Sequence, residues 1–459
     1  MQTIELINQR SCCGKPKETI SQLKKGDNKM YQLPVAIIGA GPVGLATAAH
    51  LAERGEKFMI LEAGPRVGSN ILSWGHVRVF SPWRYNIDQA AGTLLKKHQW
   101  ESPDFDDLPL GKQIVEQYLE PIAELPEIKP FLYLNTKVLS VSRKGIDKMK
   151  TANREGVPFI LYTEQNGDTK MFEARAVIDA SGTWGTPNPA HSSGIWTREE
   201  QAIKDRMNYG IPDISHKDQK RYSHKRVAVI GGGHSAINAL LELVALKEKH
   251  ADTEIYWLMR KEHVEEAYGG KEKDALEARG ALGIRIHQAV ESGHVNVVTP
   301  FRIQKFTQTD HGIDIIGESN GEGRTIHNID ELIVNTGSRP DFSPLSELRL
   351  SIDTATESVE ALAPLIDPNI HSCGTVRPHG EKELRQPEKD FYIAGIKSYG
   401  RAPTFLMATG YEQVRSIVAY LAGDFAAAEK VELVLPETGV CNSNLVSSSS
   451  CCGPKSSCC

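Results

Sequence analysis

Short, unbroken apolar runs that end in glycine recur along this chain and divide it. Val35-Ala36-Ile37-Ile38 contains no polar residue, the pattern of a strand buried on both faces in a parallel sheet. Gly39, Gly41 and Gly44 follow at G-x-G-x-x-G spacing, then a helical run from Leu45 to Glu53 with Leu45, Ala48, Ala49 and Leu51 on or near one face. A second apolar run, Phe58 to Leu61, ends in Glu62. The pattern then repeats. Arg226 to Ile230 leads into Gly231-Gly232-Gly233-His234-Ser235-Ala236, a helical run carries Ala239, Leu240, Leu243 and Val244, and Ile255 to Met259 ends in Arg260-Lys261.

Further apolar strands close each half. Ala176 to Asp179 enters the turn Ser181-Gly182-Thr183 with Pro187 beyond it, and Ile333-Val334 enters Gly337-Ser338-Arg339-Pro340 in the same way. Phe391 to Ala394 enters Gly395 as a last short strand, and Pro403 to Ala422 predicts a closing helix. Alternating positions predict a β-meander from Phe131 to Ala174, with Asn166-Gly167 as a hairpin turn, and a second β-rich piece from Val295 to Ile316. Gly111 to Ala123 reads as helix. Residues 191–225, with His191, His216 and His224, read as a polar surface connection, and 341–389 as loop.

Each glycine of the first turn has a task that only glycine performs well. Gly39 permits a tight strand-to-helix turn, Gly41 lets backbone approach a pyrophosphate, and Gly44 lets helix and strand pack closely. The phosphates then sit at the positive end of the helix dipole. Glu62 stands where an acid receives a free ribose 2′-hydroxyl, whereas Arg260 occupies that place in the second copy and suits a 2′-phosphate. The first site is therefore expected to take FAD and the second NADPH. The competing readings are a glycine turn of some other doubly wound fold and, for Arg260, a solvated strand-end cation. The expected fold class is α/β, with two Rossmann-like (doubly wound) dinucleotide-binding domains, β-meander insertions and disordered Cys-rich tails.

Composition narrows the rest. The chain has 459 residues, 40% of them hydrophobic and 24% charged, as in ordinary globular proteins that build a large core. A net charge of −5 provides no field to attract nucleic acid or an anionic membrane. No apolar run is long enough to span a bilayer and the N-terminus lacks signal-peptide character, so a cytoplasmic location is the default expectation. Trp74 to Tyr85 packs two Trp, a Tyr, a His and two Arg into one stretch, fit either to line an anion-tolerant pocket beside a flat ring or to fill a core. Of eight cysteines, only Cys373 falls between the tails. Cys12, Cys13, Cys441, Cys451, Cys452, Cys458 and Cys459 lie in polar, Ser-, Gly- and Lys-containing ends. The adjacent pairs among them suit a thiophilic metal or metalloid, or belong to ends under little constraint. His371, Cys373 and His379 lack ligand spacing and read as structural.

Two fingerprints, each followed by a strand, a small-Gly turn and a later Pro, resemble the two-dinucleotide-binding-domain flavoproteins, which include flavin-containing monooxygenases and pyridine-nucleotide disulfide reductases. The resemblance implies FAD and NADPH as cofactors, hydride transfer to the flavin, and cofactor contacts at Gly39, Gly41, Gly44, Glu62, Trp74, Gly182, Gly231, Gly233, Ser235, Ala236, Arg260, Gly337 and Gly395. It implies residues 33–190 and 331–430 as the FAD-binding domain and 191–330 as the NADPH-binding domain, with tails at 1–32 and 431–459. No cysteines stand at C-x-x-C or C-x-x-x-x-C spacing, and Gly395-Ile396 replaces the Gly-Asp of the disulfide reductases. The monooxygenase branch is nearer, although its F-x-G-x-x-x-H signature is missing. The expected activity is oxygenation of a small, soft-nucleophile substrate. The tails are similar to the vicinal cysteines of mercuric reductases and to flavoproteins of arsenic-resistance operons. That similarity implies a metal or metalloid oxidoreductase using Cys12, Cys13, Cys451, Cys452, Cys458 and Cys459 as the alternative, with a thiol-rich binding protein as the third reading.

Overall fold

Strands β1 (Val35–Ile38) and β2 (Phe58–Leu61) are buried at every position, as uninterrupted apolar runs require. Helix α1 (Pro42–Glu53) joins them, and they pair in parallel. The computed structural model describes residues 29–433 apart from 275, 370–376 and 404. Next come β3 (Leu132–Tyr133) and the meander β4 (Thr136–Arg143), β5 (Phe159–Gln165) and β6 (Asp168–Ala174), whose β5–β6 turn places Asn166 and Gly167 at positive φ as a tight hairpin demands. Strand β7 (Ala176–Asp179) pairs in parallel with β1 on the side opposite β2.

The second unit follows with β8 (Met207–Tyr209), β9 (Arg226–Ile230), α2 (His234–Lys249), β10 (Glu254–Leu258), α3 (Glu277–Glu291) and β11 (Asn296–Val298). Its own meander is β12 (Arg302–Thr309), β13 (Gly312–Ser319) and β14 (Glu322–Ile329), and it ends in β15 (Glu331–Val334). The chain closes with β16 (Phe391–Ile393) and α4 (Met407–Leu421). The two five-stranded parallel sheets run β16-β7-β1-β2-β3 and β11-β10-β9-β15-β8. Each glycine-bearing strand is flanked by the strand before its acid or arginine and by the strand before its small-Gly turn.

Two features differ from the sequence expectation. Residues 191–225 are not only a surface connection, because β8 lies among them and pairs with β15. Three residues between turns are too few for a periodic signal to register. Strand β15 hydrogen-bonds between β9 and β8, so the return to the first sheet follows Val334 rather than beginning at 331.

Side-chain alternation along the second sheet sorts its core into two layers. Val227, Val229, Ile255, Trp257 and Ile333 face α2 and α3, packing on Ile237, Leu240 and Ile286. Ala228, Ile230, Leu258, Leu332 and Val334 face the meander, packing on Phe301, Phe306 and Ile315. The first sheet lies in one larger core with α1, α4 and the helical segment from Gly111 to Glu124, which passes through a π-helical turn at Val115–Leu119. Among the described residues no helix is long and apolar enough to cross a membrane.

One buried charge cluster fastens the first meander to the core. Arg143 on β4 and Arg154 both reach Glu388, with Nε–Oε1 at 2.7 Å and Nη2–Oε2 at 2.8 Å, and all three side chains are at most 4% exposed. Burial pushes the Glu388 carboxyl up, but Arg154 and then Arg143 outweigh it and hold it below the usual range. Removing Glu388 strands two buried guanidinium groups, so Glu388→Ala is expected to cost about 3–5 kcal/mol in urea unfolding. Because the folded carboxyl is depressed, its contribution is complete above the unfolded value near pH ~4.3 and is lost as pH falls through the lower folded value. Glu388→Gln should therefore flatten the acid limb of a stability–pH curve.

Candidate functional site

The two glycine loops have the same construction. Gly39 holds φ +97°, and a Cβ there would stand 2.9 Å from the Ala180 carbonyl oxygen. A Cβ on Gly44 would lie 1.9 Å from the Gly39 carbonyl oxygen, so helix and turn meet only because residue 44 has no side chain. Around Gly41 no atom lies within 4 Å of a Cβ position, which leaves the backbone open to a ligand. In the second loop Gly231 holds φ +131° against the Asn335 carbonyl, Gly233 is open, and Ala236 is buried in the third place. Glu62 closes over the first loop: Oε2 accepts from Ala40 N–H at 2.6 Å and Oε1 from Gly64 N–H at 2.7 Å. Each carboxylate oxygen keeps a further lone pair for a ribose hydroxyl.

Helices α1, α2 and α4 begin at Gly41, Gly233 and Leu406, and none has a side-chain cap or an acid in its first turn. Their free N–H groups therefore seek an anion from elsewhere. All three N-termini open onto one cavity of about 490 Å³, through Gly41, Pro42 and Val43, through His234, Ser235 and Asn238, and through Leu406 and Met407. The cavity lies past the C-terminal ends of both parallel sheets, where ligands bind in doubly wound folds.

The aromatic run after the first loop divides between the two roles open to it. Trp74, Arg78 and Phe80 line the cavity, while Trp83 is 2% exposed in the core. Trp74 faces Trp184 at 6.2 Å within the first unit, and Phe80 of the first unit lies against His234 of the second at 5.4 Å. Burial, then the Arg279 guanidinium, push His234 below the usual imidazole range.

Of the residues expected from sequence, Gly39, Gly41, Glu62, Trp74, Gly182, Ser235 and Gly395 line this cavity. Gly44, Gly231 and Ala236 lie behind their loops, where Gly44 and Gly231 take the close approaches. Gly337 turns at φ +84° beside Asn188, and its neighbour Ser338 reaches the cavity wall. Arg260 is exposed at the end of β10, its Nη1 donating to the Ser192 carbonyl at 3.2 Å, and the Lys261 stem lies 3.2 Å from a Cβ position on Gly232. Arg260 is not among the residues lining the cavity. His371, Cys373 and all the tail cysteines (Cys12, Cys13, Cys441, Cys451, Cys452, Cys458 and Cys459) lie outside the described residues. His379 has a structural partner, its Nε2 meeting the Gln413 amide at 2.9 Å.

Beneath the cavity is a polar layer that sequence patterns did not reveal. Lys397 is 3% exposed, and its Nζ donates to Asp179 Oδ2 at 2.7 Å and to Ser181 Oγ at 3.1 Å. Asp179 Oδ1 accepts from Ser181 N–H and Oγ, so the pair holds the Ser181–Gly182 turn from below. Gln413 of α4 accepts from Gly395 N–H at 2.8 Å and fixes the second turn in the same way. A buried lysine and a glutamine inside a helix look like surface residues in a sequence, and nothing in their spacing separates them from one.

A family model described as pyridine nucleotide-disulphide oxidoreductase matches residues 36–373. Ferredoxin–NADP reductase 1 of Bacillus cytotoxicus is 25% identical over 398 residues, covering 85% of this chain and 95% of that protein. The bacillithiol disulfide reductase Bdr (YpdA) from Bacillus cereus superposes with a TM-score of 0.61 at 19% identity, covering 85% of this chain and 99% of that chain. The FAD-bound cadaverine monooxygenase DfoA of the desferrioxamine biosynthetic pathway from Erwinia amylovora gives 0.61 at 13% identity, covering 91% and 100%. These structural likenesses are of fold. The three proteins carry out different reactions, so likeness does not select a substrate.

Proposed function

This chain belongs to the pyridine nucleotide-disulphide oxidoreductase family, and we propose that it is an NADPH-dependent FAD oxidoreductase acting as a monooxygenase on a small, soft-nucleophile substrate. The observation that carries this reading is the single cavity onto which three uncapped helix N-termini open, two of them behind dinucleotide-type glycine loops. The cradle fits FAD on the first loop. Gly39, Gly41 and Gly44 would shape the pyrophosphate site, Glu62 would receive the ribose, and Trp74, Gly182 and Gly395 would flank the ring. The second loop, with Gly231, Gly233, Ser235 and Ala236, takes NADPH, with Gly337 turning the chain beside it and Arg260 on the 2′-phosphate. On this reading residues 33–190 and the chain after Val334 form the FAD-binding unit, and 191–334 the NADPH-binding unit.

Bound FAD supplies hydride acceptance and oxygen activation. The chain supplies position and electrostatics. The N-terminus of α4 beside the ring favours negative charge there. Trp74, Phe80, Trp184 and Phe405 give the cavity an aromatic wall. No two cysteines of the sequence stand at C-x-x-C or C-x-x-x-x-C spacing, which favours oxygenation over disulfide reduction. The second reading, flavin-dependent reduction of a metal or metalloid carried on the tail cysteine pairs, rests on the sequence of those tails.

Anaerobic reduction by NADPH and by NADH, followed at the flavin band and then by admission of air with and without arsenite or a thioether, tests the proposal. Rapid bleaching by NADPH with substrate-dependent oxygen uptake is expected. Bleaching by neither nucleotide would sink it, and arsenite turnover that disappears when the tail cysteines are changed to serine would move the choice to the second reading. Arg260→Ser should raise KM for NADPH by roughly 10- to 100-fold, the value of a charge-assisted contact of about 1.5–3 kcal/mol, and leave KM for NADH nearly unchanged.

A further inference from the structure

His76, Asp213 and Glu242 come from three separate segments and converge where the two units meet. His76 stands between Trp74 and Val77, Asp213 follows two places after Ile211, and Glu242 is one turn beyond Asn238 on α2. Trp74, Val77, Ile211 and Asn238 all line the cavity. One ligand atom from each of the three residues lies within 4.8 Å of the other two, and all three residues are partly buried.

Two observations mark this as more than a meeting of polar groups. His76 Nε2 is buried and has no hydrogen-bond partner, although two carboxylates stand close by. The carboxylates are also held in place independently of His76. Glu242 Oε2 accepts from Ile214 N–H at 3.1 Å and Ser215 N–H at 3.2 Å, and Asp213 Oδ1 meets His216 Nδ1 at 2.9 Å. Each carboxylate is thus anchored through one oxygen by these bonds.

A cation resolves all of this at once. It takes the orphaned nitrogen as a ligand and needs only small side-chain shifts to bring three donors to about 2.0–2.2 Å. One imidazole with two carboxylates and no sulfur suits a borderline divalent transition ion and not Ca²⁺ or Mg²⁺, which take oxygen ligands. We propose that His76, Asp213 and Glu242 form a binding site for a divalent transition cation of the Zn²⁺ class, joining the first unit to the second behind the cavity wall. The site is distinct from both glycine loops and from the tail cysteines.

The test uses the full-length flavoprotein, stripped of metal and with its thiols alkylated by iodoacetamide so that the tails do not compete. Co²⁺ binding is measured by equilibrium dialysis and by absorption to the red of the flavin. One saturable Co²⁺ site with nitrogen–oxygen ligand-field bands and no sulfur charge-transfer band is expected. His76→Ala and Glu242→Gln should each weaken it on the order of 100-fold or more. The Gln variant keeps an amide oxygen for Ile214 and Ser215, so its local turn is retained even if the His76 variant folds poorly. Zn²⁺ should raise Tm of the parent protein and not of either variant. No saturable Co²⁺ binding in the parent, or the same affinity in both variants, would overturn the proposal.

Discussion

Gly44→Ala is expected to purify as a colourless protein. The added Cβ would lie 1.9 Å from the Gly39 carbonyl oxygen and 3.0 Å from its carbon, and both are backbone atoms in the first loop. No rotamer relieves such a contact. Either α1 moves off β1, which is buried at every position, or the loop opens and its N–H groups no longer point into the cavity. Overpacking of this kind costs typically about 1–3 kcal/mol and occasionally more, and here the strain falls on the first glycine loop. The second loop makes the comparison sharper, because Ala236 already stands at the matching place and is buried there. Ala236→Gly should keep the yellow colour and cost only about 0.5–1 kcal/mol in helix propensity. Gly41→Ala separates ligand from fold, since no protein atom lies within 4 Å of its Cβ position. That variant should keep its Tm and lose FAD affinity. Flavin-to-protein ratio after purification, FAD titration by fluorescence and Tm measure all three. Normal flavin content in Gly44→Ala would remove the first loop from the cofactor site.

The same residues show how far a sequence can be read. Val35 to Ile38 and Arg226 to Ile230 announce themselves because a strand covered on both faces has nowhere to put a polar residue, and the glycines after them mark where backbone meets backbone. What escaped is what depends on distant pairing. Strand β8 exists because β15 offers it an edge, and Met207-Asn208-Tyr209 carries no pattern of its own. His76 and Glu242 are unremarkable singly and meet only when the two units close on one another. The aromatic run after the first loop was ambiguous for a physical reason: Trp74 and Trp83 follow an irregular path, so no period tells the cavity side from the core side. The third fingerprint position has its own lesson. Glycine and alanine are both permitted by the motif, and only the separation of helix and turn says which of the two a given copy tolerates.

Lys397→Met should lower Tm by roughly 10 °C, taking about 3–5 kcal/mol for a buried charge left without its partner and about 2–4 °C per kcal/mol at this domain size. Lys397 and Asp179 are 3% and 1% exposed, and methionine fills the space of the lysine stem, so the loss is electrostatic rather than a cavity. The stranded group is Asp179, at the end of β7. Its carboxylate also holds Ser181 through N–H and Oγ, at 3.0 and 2.6 Å. When Asp179 takes up a proton or water to relieve its charge, the Ser181–Gly182 turn loses its support, and that turn is part of the cavity wall. FAD affinity should therefore fall together with stability. The double variant Asp179→Asn/Lys397→Met removes both charges and keeps an acceptor for Ser181. It should recover more than half of the lost stability, because replacing a buried ion pair as a unit is far less costly than breaking it. A Lys397→Met protein with unchanged Tm would show that water reaches Asp179 in solution. One with reduced Tm and undiminished FAD affinity would confine the pair to supporting the fold. A parallel loss of both, restored by the double variant, would make Lys397 the residue that positions the Ser181–Gly182 turn for the flavin.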